Sequence, residues 1–312
     1  VSWADAVTSD EEEELGDKDC DNNNLANIFK PILKWAGGKS FLTPKLKECI
    51  KGLNFNRYIE PFFGSGAFYF DMVQTNKRII KNSIINDSNI DLIQLYKHIK
   101  SSPKKLISAH NKIKRQFESK GYYSIREKFN GLDENGKKVK KYSGIERSAA
   151  LMVLNKTCFN GLYRINKDGK FNVPEGRYKS PSFVQSELIR SVSKVLTPAK
   201  NIQAKSYLDI KYRKNDLVYF DPPYHPLSKT SYFTDYSGQF GENEQKELSK
   251  KFHELDKKGV HVILSNSKTD FIYDLYEKNR IYEVDCGRSI NAKGNKRGKV
   301  KEYLILGKNF GK

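Results

Sequence analysis

The chain has 312 residues, 38% of them hydrophobic and 12% aromatic, enough apolar side chain for one large domain or two. Its formal charge is +19, and no apolar run approaches the roughly 20 residues that a membrane-spanning helix needs. Four scattered cysteines (Cys20, Cys49, Cys158, Cys286) without C-x-x-C spacing, and five histidines that do not pair at ligand spacing, exclude a disulfide framework and argue against a metal site. They read as free thiols in a reducing compartment. With no signal-peptide pattern at the start, the expected location is the cytoplasm.

Residues 1–27 hold nine acids against one lysine and lack hydrophobic periodicity, so they read as a disordered acidic tail. That local charge of −8 leaves +27 on the remainder. Such an excess suits a polyanionic partner, or simply a lysine-rich solvated surface.

Next comes Lys34-Trp35-Ala36-Gly37-Gly38-Lys39-Ser40, followed by a helix expected at about 43–50. A P-loop is rejected, because that motif needs glycine where Leu33 stands. What remains is a glycine turn, Ala36-Gly37-Gly38, flanked by Trp35 and Lys39; it would suit a small zwitterion bearing a carboxylate. From Arg57 to Ala67 the pattern is strand, glycine loop, helix, with Glu60-Pro61-Phe62 at the strand's end. Gly64 and Gly66 let the backbone approach a ligand, but the third glycine of a dinucleotide fingerprint would fall at Tyr69, which disfavours NAD. Ile84-Ile85-Asn86-Asp87 reads as a second strand, ending in an acid that either accepts ribose hydroxyls or caps the next helix.

From about Asp91 to Val195 the chain is basic and mostly helical, with helices expected at about 91–100, 103–118, 121–129 and 145–155. Lys137, Lys138, Lys140 and Lys141 follow a turn sequence, Asp133-Glu134-Asn135-Gly136. Then come Asn155 to Arg164, a hairpin expected at 166–173 that turns at Asp168-Gly169, and Pro174 to Lys179. Arginine, asparagine, lysine and aromatics on a loop and hairpin fit major-groove readout, or contact with phosphates alone. After residue 200 the pattern is α/β again: strands at about 201–207, 217–220, 260–265 and 300–306, helices at about 242–255 and 270–278. The basic loop 288–297 is either a DNA clamp or a solvated loop.

The chain is organised around Asp221-Pro222-Pro223-Tyr224. Leu217 to Phe220 is a buried strand that stops at two prolines, which puts Asp221 at the carboxyl edge of the sheet, where α/β proteins bind ligands. An exocyclic amine is a poor nucleophile, its lone pair delocalised into the base ring. Acceptors on its two N–H groups, the Asp221 carboxylate and the Pro222 carbonyl, would favour a nucleophilic geometry. Tyr224 offers a face on which an extruded base can stack.

In this order, Lys34-Trp35-Ala36-Gly37-Gly38-Lys39, Glu60-Pro61-Phe62, Asn160-Gly161-Leu162-Tyr163-Arg164, Phe171-Asn172-Val173-Pro174 and Asp221-Pro222-Pro223-Tyr224 resemble the Dam-type DNA N6-adenine methyltransferases. The resemblance runs from about Ile28 to Phe310. It implies an α/β fold: a seven-stranded Rossmann-like methyltransferase sheet, with catalytic residues 28–100 and 200–312 and a mostly helical target-recognition insert, 101–199. It also implies S-adenosyl-L-methionine as cofactor, held by Trp35, Lys39, Asp87 and Asp221 with the Ala36–Gly38 turn, Glu60, Pro61, Phe62 and Gly64. Double-stranded DNA is the implied partner, read at GATC by Lys34, Phe159, Asn160, Leu162, Arg164, Pro174 and Tyr178. Phe159 stands where relatives often carry tyrosine, so stacking is kept and a hydroxyl contact is not. No membrane or metal partner is expected, and the chain is expected to be a monomer. Methylation of RNA or a protein amide, or DNA binding without catalysis, are the competing readings.

Overall fold

The computed structural model describes residues 29–35, 41–75, 82–199, 201–227, 240–287 and 299–312. The acidic tail, Ala36 to Lys39 and the 288–297 loop lie outside the described residues. Among them the chain runs α1 (Thr43–Ile50), β1 (Arg57–Glu60), α2 (Ala67–Thr75), β2 (Ser83–Asn86) and α3 (Ile90–Ser101). There follow α4 (Pro103–Asn130), α5 (Gly144–Thr157), α6 (Ser186–Leu196), β3 (Asn201–Gln203) and β4 (Asp216–Phe220). The last elements are α7 (Glu242–Lys257), β5 (His261–Ser267), α8 (Asp270–Tyr276), β6 (Arg280–Gly287) and β7 (Lys299–Leu306).

The strands form one sheet of seven in the order β3-β2-β1-β4-β5-β7-β6. β1 to β5 are parallel, and β7 runs antiparallel between β5 and β6. The chain leaves β1 for β2 on one side and returns to β4 on the other. The crevice at the carboxyl ends of β1 and β4 is therefore the sheet's switch point, the place where such folds bind ligands.

Both faces of the sheet are covered, which explains why β4 and β5 read as unbroken apolar runs. Side chains alternate between two cores, as a period of two dictates. Tyr58, Leu217, Tyr219, Ile263 and Leu304 face a core that continues into α3, α4, α5 and α6. Ile59, Val218, Phe220, Val262 and Ile305 face Leu248, Phe252 and Leu255 of α7 and Ile272 and Tyr276 of α8.

Some sequence expectations need correction. The strand expected at 201–207 stops at Gln203, and Tyr207 opens a 3₁₀ turn, Tyr207–Asp209. The helices expected at 103–118 and 121–129 form one element, broken at Gly121, whose φ of 75° only glycine adopts readily. α6 and β6 have no counterpart among the elements expected from sequence. α6 is amphipathic and buries Ile189, Val192, Val195 and Leu196. Among the described residues β6 is an edge strand, paired with β7 alone, and it alternates polar with apolar residues instead of forming an apolar run. The expected hairpin exists as a narrower turn: the Asn166 amide donates to the Lys170 carbonyl at 2.8 Å, and Ile165 bridges Phe171.

Candidate active site

β1, β2 and β4 lie side by side, so their ends bring Glu60, Asp87 and Asp221 to one edge. Beyond β4 the backbone of residues 221–225 is tied down from β5 and α7. The Gln245 amide nitrogen donates to the Pro223 carbonyl at 2.8 Å. Asn266 donates to the Gln245 side-chain oxygen at 3.0 Å and accepts the His225 amide at 3.0 Å. The Ser267 hydroxyl donates to the His225 carbonyl at 2.5 Å. Gln245 and Asn266 are fully buried, so these bonds form out of competing water. Among the described residues no donor meets the Pro222 carbonyl.

The side chains are tied as well. Ser265 donates to Asp221 Oδ1 at 2.8 Å, and the Tyr224 hydroxyl donates to Glu302 Oε2, on β7, at 2.9 Å. Burial first, then the Asp221 and Glu302 carboxylates, push the Tyr224 phenol well above its ordinary range. It therefore stays protonated and keeps its donor. Gln245, Ser265, Asn266, Ser267 and Glu302 were not among the residues singled out from sequence. Ser265-Asn266-Ser267, three polar residues closing an apolar strand run, was the available signal.

The neighbouring acids form an electrostatic cluster. Glu60 is buried and accepts the Tyr58 hydroxyl at 2.6 Å. Desolvation, together with the Asp221 and Asp87 carboxylates, raises its acid well above the usual range, against the pull of the Tyr58 bond. Burial also raises Asp87, opposed by two amides: Gly64 N–H on Oδ2 and Asn89 N–H on Oδ1, each at 2.8 Å. Asn89, not Asp87, caps α3 by accepting the Leu92 amide at 3.0 Å. No basic group of the described residues is among the charges acting on Glu60 or Asp87. Such a cluster suits a cationic ligand.

The glycine loop shows why these residues are needed. Gly64 and Gly66 have φ of 50° and 70°, and a Cβ on Gly64 would approach Trp35 Cδ1 to 3.1 Å. On Gly66 it would meet the Phe63 ring at 2.3 Å, so no larger residue fits without rearrangement. Pro61 offers its carbonyl to Asn86 at 2.8 Å, while Phe62 packs on Tyr207 and Phe240 in the second core. Trp35 stacks on Tyr163, ring centroids 5.7 Å apart. The Tyr163 hydroxyl donates to Asp91, on which Arg147 of α5 closes a two-bond fork at 2.6 and 2.7 Å. The glycine loop and α5 are thus joined through one indole and one ion pair.

A second group of sequence-selected residues gathers more than a hundred positions from Lys34 in the chain but beside it in space. The buried Asn155 accepts the Lys34 amide at 2.9 Å and donates to the carbonyls of Lys34 and Gly161 at 2.7 and 2.8 Å. This ties Lys34 to the turn Phe159–Gly161, where Asn160 takes a left-handed φ of 53°. Burial, followed by the charges of Lys30 and Lys34, lowers the Lys156 ammonium, the mark of cations crowded without enough anions. Phe159 is 49% exposed, and its amide donates to the Pro174 carbonyl at 2.9 Å. Leu162 is half-buried, Pro174 is exposed, and Tyr178 lies over Gly176, whose Cβ would fall 2.3 Å from its ring. Arg164 is exposed, with Nε donating to Asn172 Oδ1 at 2.8 Å.

The arrangement is a nucleotide-type switch-point crevice with an acidic floor, flanked by a basic, aromatic loop. The family profile for D12 class N6 adenine-specific DNA methyltransferases matches residues 35–290. The chain is 40% identical to the type II methyltransferase M.MjaIII of Methanocaldococcus jannaschii over 89% of its own length and 98% of that protein's. It is 37% identical to M1.LlaDCHI of Lactococcus lactis, covering 92% and 98% of the two chains. Against the DNA adenine methylase of Escherichia coli K12 the identity is 33%, over 89% and 95%. The chain belongs to the D12 class of N6 adenine-specific DNA methyltransferases. Its sheet is the methyltransferase form of the Rossmann-like fold, its substrate is DNA, and its reaction draws on a methyl donor.

Proposed function

We propose that the chain transfers methyl from S-adenosylmethionine to N6 of adenine in duplex GATC, after turning the adenine out of the helix, as a site-specific DNA-methyltransferase. Residues 28–100 and 200–312 would form the catalytic part and residues 101–199 the recognition part. The observation that carries this is Asp221, held through one carboxylate oxygen by Ser265 beside a Pro222 carbonyl that no described donor meets.

S-adenosylmethionine supplies an electrophilic methyl on a sulfonium and carries an ammonium on its methionine end. The donor set fits it: Glu60, Asp87 and Asp221 gather carboxyl acceptors around the crevice, and the unsubstituted Gly64 and Gly66 keep the loop low. Each Asp87 oxygen accepts one amide and retains a second lone pair, which suits ribose hydroxyls. Trp35 lines the same loop, and the Ala36-Gly37-Gly38-Lys39 turn follows it directly in the chain. The Asp221 carboxylate and the Pro222 carbonyl take the two amine hydrogens, raising the nitrogen's nucleophilicity. The amine gains a methyl and sheds one proton, which Asp221 is placed to receive. Tyr224, its hydroxyl anchored on Glu302, presents its ring to the extruded base while Pro223 stiffens the turn between them.

In the recognition part, Arg164 offers a fork for guanine O6 and N7, and Lys34 and Asn160 offer donors for base edges. Leu162 and Pro174 supply apolar contact with thymine methyls, and Tyr178 borders the same surface. The exposed Phe159 is a wedge that takes the adenine's place in the stack. Radiolabelled methyl transfer offered in parallel to duplex DNA, RNA and protein tests the reading. Label should enter duplex DNA alone and only with S-adenosylmethionine present; label in RNA or protein would refute it.

A further inference from the structure

One carboxylate at the start of α3 gathers two side chains from the 101–199 part of the chain. Asp91 lies in the first turn of α3, four residues after Asp87. It accepts the Arg147 fork at 2.6 and 2.7 Å and the Tyr163 hydroxyl at 3.0 Å. Arg147 belongs to α5, and Tyr163 stands in the chain between Leu162 and Arg164, the residues proposed to read DNA. The Arg147 guanidinium also donates to the Phe129 carbonyl at 3.0 Å and lies over that ring, 3.8 Å from its centroid. Burial first, then the Asp91 charge, raise the Tyr163 phenol, so it keeps the proton that it donates.

The Tyr163 ring stacks on Trp35, with planes 25° apart, and packs on Phe171, each at a centroid distance of 5.7 Å. Phe171 is buried, and the Asn130 side chain holds both its amide and its carbonyl, at 2.8 and 2.9 Å. Trp35 in turn lies against Gly64, whose amide donates to Asp87. Its chain neighbour Lys34 is bracketed by Asn155. The pairs Lys34-Trp35 and Tyr163-Arg164 thus each combine one ring of the stack with one side chain proposed for the duplex. Both rings are half-buried, so the core alone does not lock either of them.

We infer that Tyr163, held by Asp91 and Arg147, is a positioning residue that couples the two sites: a bound cofactor orders the Trp35–Tyr163 stack for the duplex, and a bound duplex orders it for the cofactor. The inference rests on the proposed cofactor and duplex sites. A ligand at either site bears on the same two rings. The first to bind meets the entropic cost of ordering them, and the second finds them already ordered. No change of fold is needed. Coupling of this kind is reciprocal, so each ligand tightens the other by the same factor.

The test is equilibrium binding of S-adenosylhomocysteine, which has no methyl to transfer, to wild type, Tyr163→Phe and Tyr163→Leu, with and without a saturating GATC duplex. In wild type the duplex should lower the Kd for S-adenosylhomocysteine about 5-fold or more, and S-adenosylhomocysteine should lower the Kd for the duplex by the same factor. Tyr163→Leu removes the stack and the hydroxyl, and there the factor should fall to about 1. Tyr163→Phe keeps the ring and loses the bond to Asp91, which should cut the factor about 2-fold or more. A merely structural role would weaken each ligand alone and leave the factor where it was. A factor unchanged in both variants, or no coupling in wild type, would overturn the inference. If thermal melting shows that Tyr163→Leu does not fold, Tyr163→Phe decides alone. Wild-type protein that binds neither S-adenosylhomocysteine nor the duplex would instead refute the proposed sites themselves, and the coupling with them.

Discussion

The loop at residues 221–225 and the loop at residues 159–178 are held by opposite strategies. In the first, backbone and side chains are both engaged, by Gln245, Ser265, Asn266, Ser267 and Glu302. In the second, the backbone is pinned by Asn155 and by the Phe159–Pro174 bond, while Phe159 and Arg164 stand out in solvent. Chemistry on a weak nucleophile needs acceptors set before the substrate arrives. Readout of a duplex, the role proposed for the second loop, needs reach, and there the backbone is fixed while the side chains stand out. Even Arg164 keeps a tether, on Asn172, that aims its fork without burying it.

The comparison breaks first at Asp221. Asp221→Ala should reduce turnover to background while duplex binding largely survives; near-normal turnover would remove the catalytic loop's claim to the chemistry. Asp87→Ala comes next. Losing an acceptor to a bound nucleoside costs about 1.5–3 kcal/mol, which should raise the KM for S-adenosylmethionine about 10- to 150-fold with duplex affinity unchanged. An unchanged cofactor KM would leave Asp87 with only its structural bonds to Gly64 and Asn89.

On the recognition side, Arg164→Ala should relax choice at a single guanine position by about 1–3 kcal/mol. Replacing the exposed Lys140 and Lys141 should instead weaken all duplexes alike and flatten the salt dependence, by about 0.9 in slope for each phosphate no longer neutralised. Site profiles at fixed salt distinguish the two. A uniform drop in affinity for Arg164→Ala would make this loop a phosphate clamp.

The smallest effect concerns stability rather than turnover. His110 on α4 is buried, its Nε2 meets no partner among the described residues, and burial, then Lys114, lowers its pKa to about 4. The unfolded chain protonates it near the ordinary imidazole value of 6.5. The folded state therefore binds fewer protons, and stability present above pH 6.5 is lost as pH falls toward 4. His110→Phe should remove up to about 3 kcal/mol of that acid sensitivity, read as the difference between the two chains' denaturation midpoints across pH. Parallel pH curves for the two would contradict this.

Much of the sheet around the crevice was legible because its signals are local. A glycine loop, an apolar run and two prolines placed β1, β4 and Asp221 without knowledge of the sheet, and the start and end of α1 were read directly. What stayed hidden depends on pairings remote in sequence. Ser265 and Gln245 are ordinary polar residues until β5 and α7 bring them to the loop, 44 and 22 positions from their partners. Asn155 looks like the end of a helix, yet it joins two loops, one of them 121 positions away. β6 escaped because an edge strand lacks the apolar run that marks a buried one.

The most direct test is methylation of a duplex pool carrying every four-base site, with S-adenosylmethionine as the donor and modified bases mapped at single-nucleotide resolution. The account predicts N6-methyladenine in GATC and background elsewhere. Methylation spread over adenines in other contexts, or a different preferred site, would contradict the reading assigned to Lys34, Asn160, Leu162, Arg164 and Pro174.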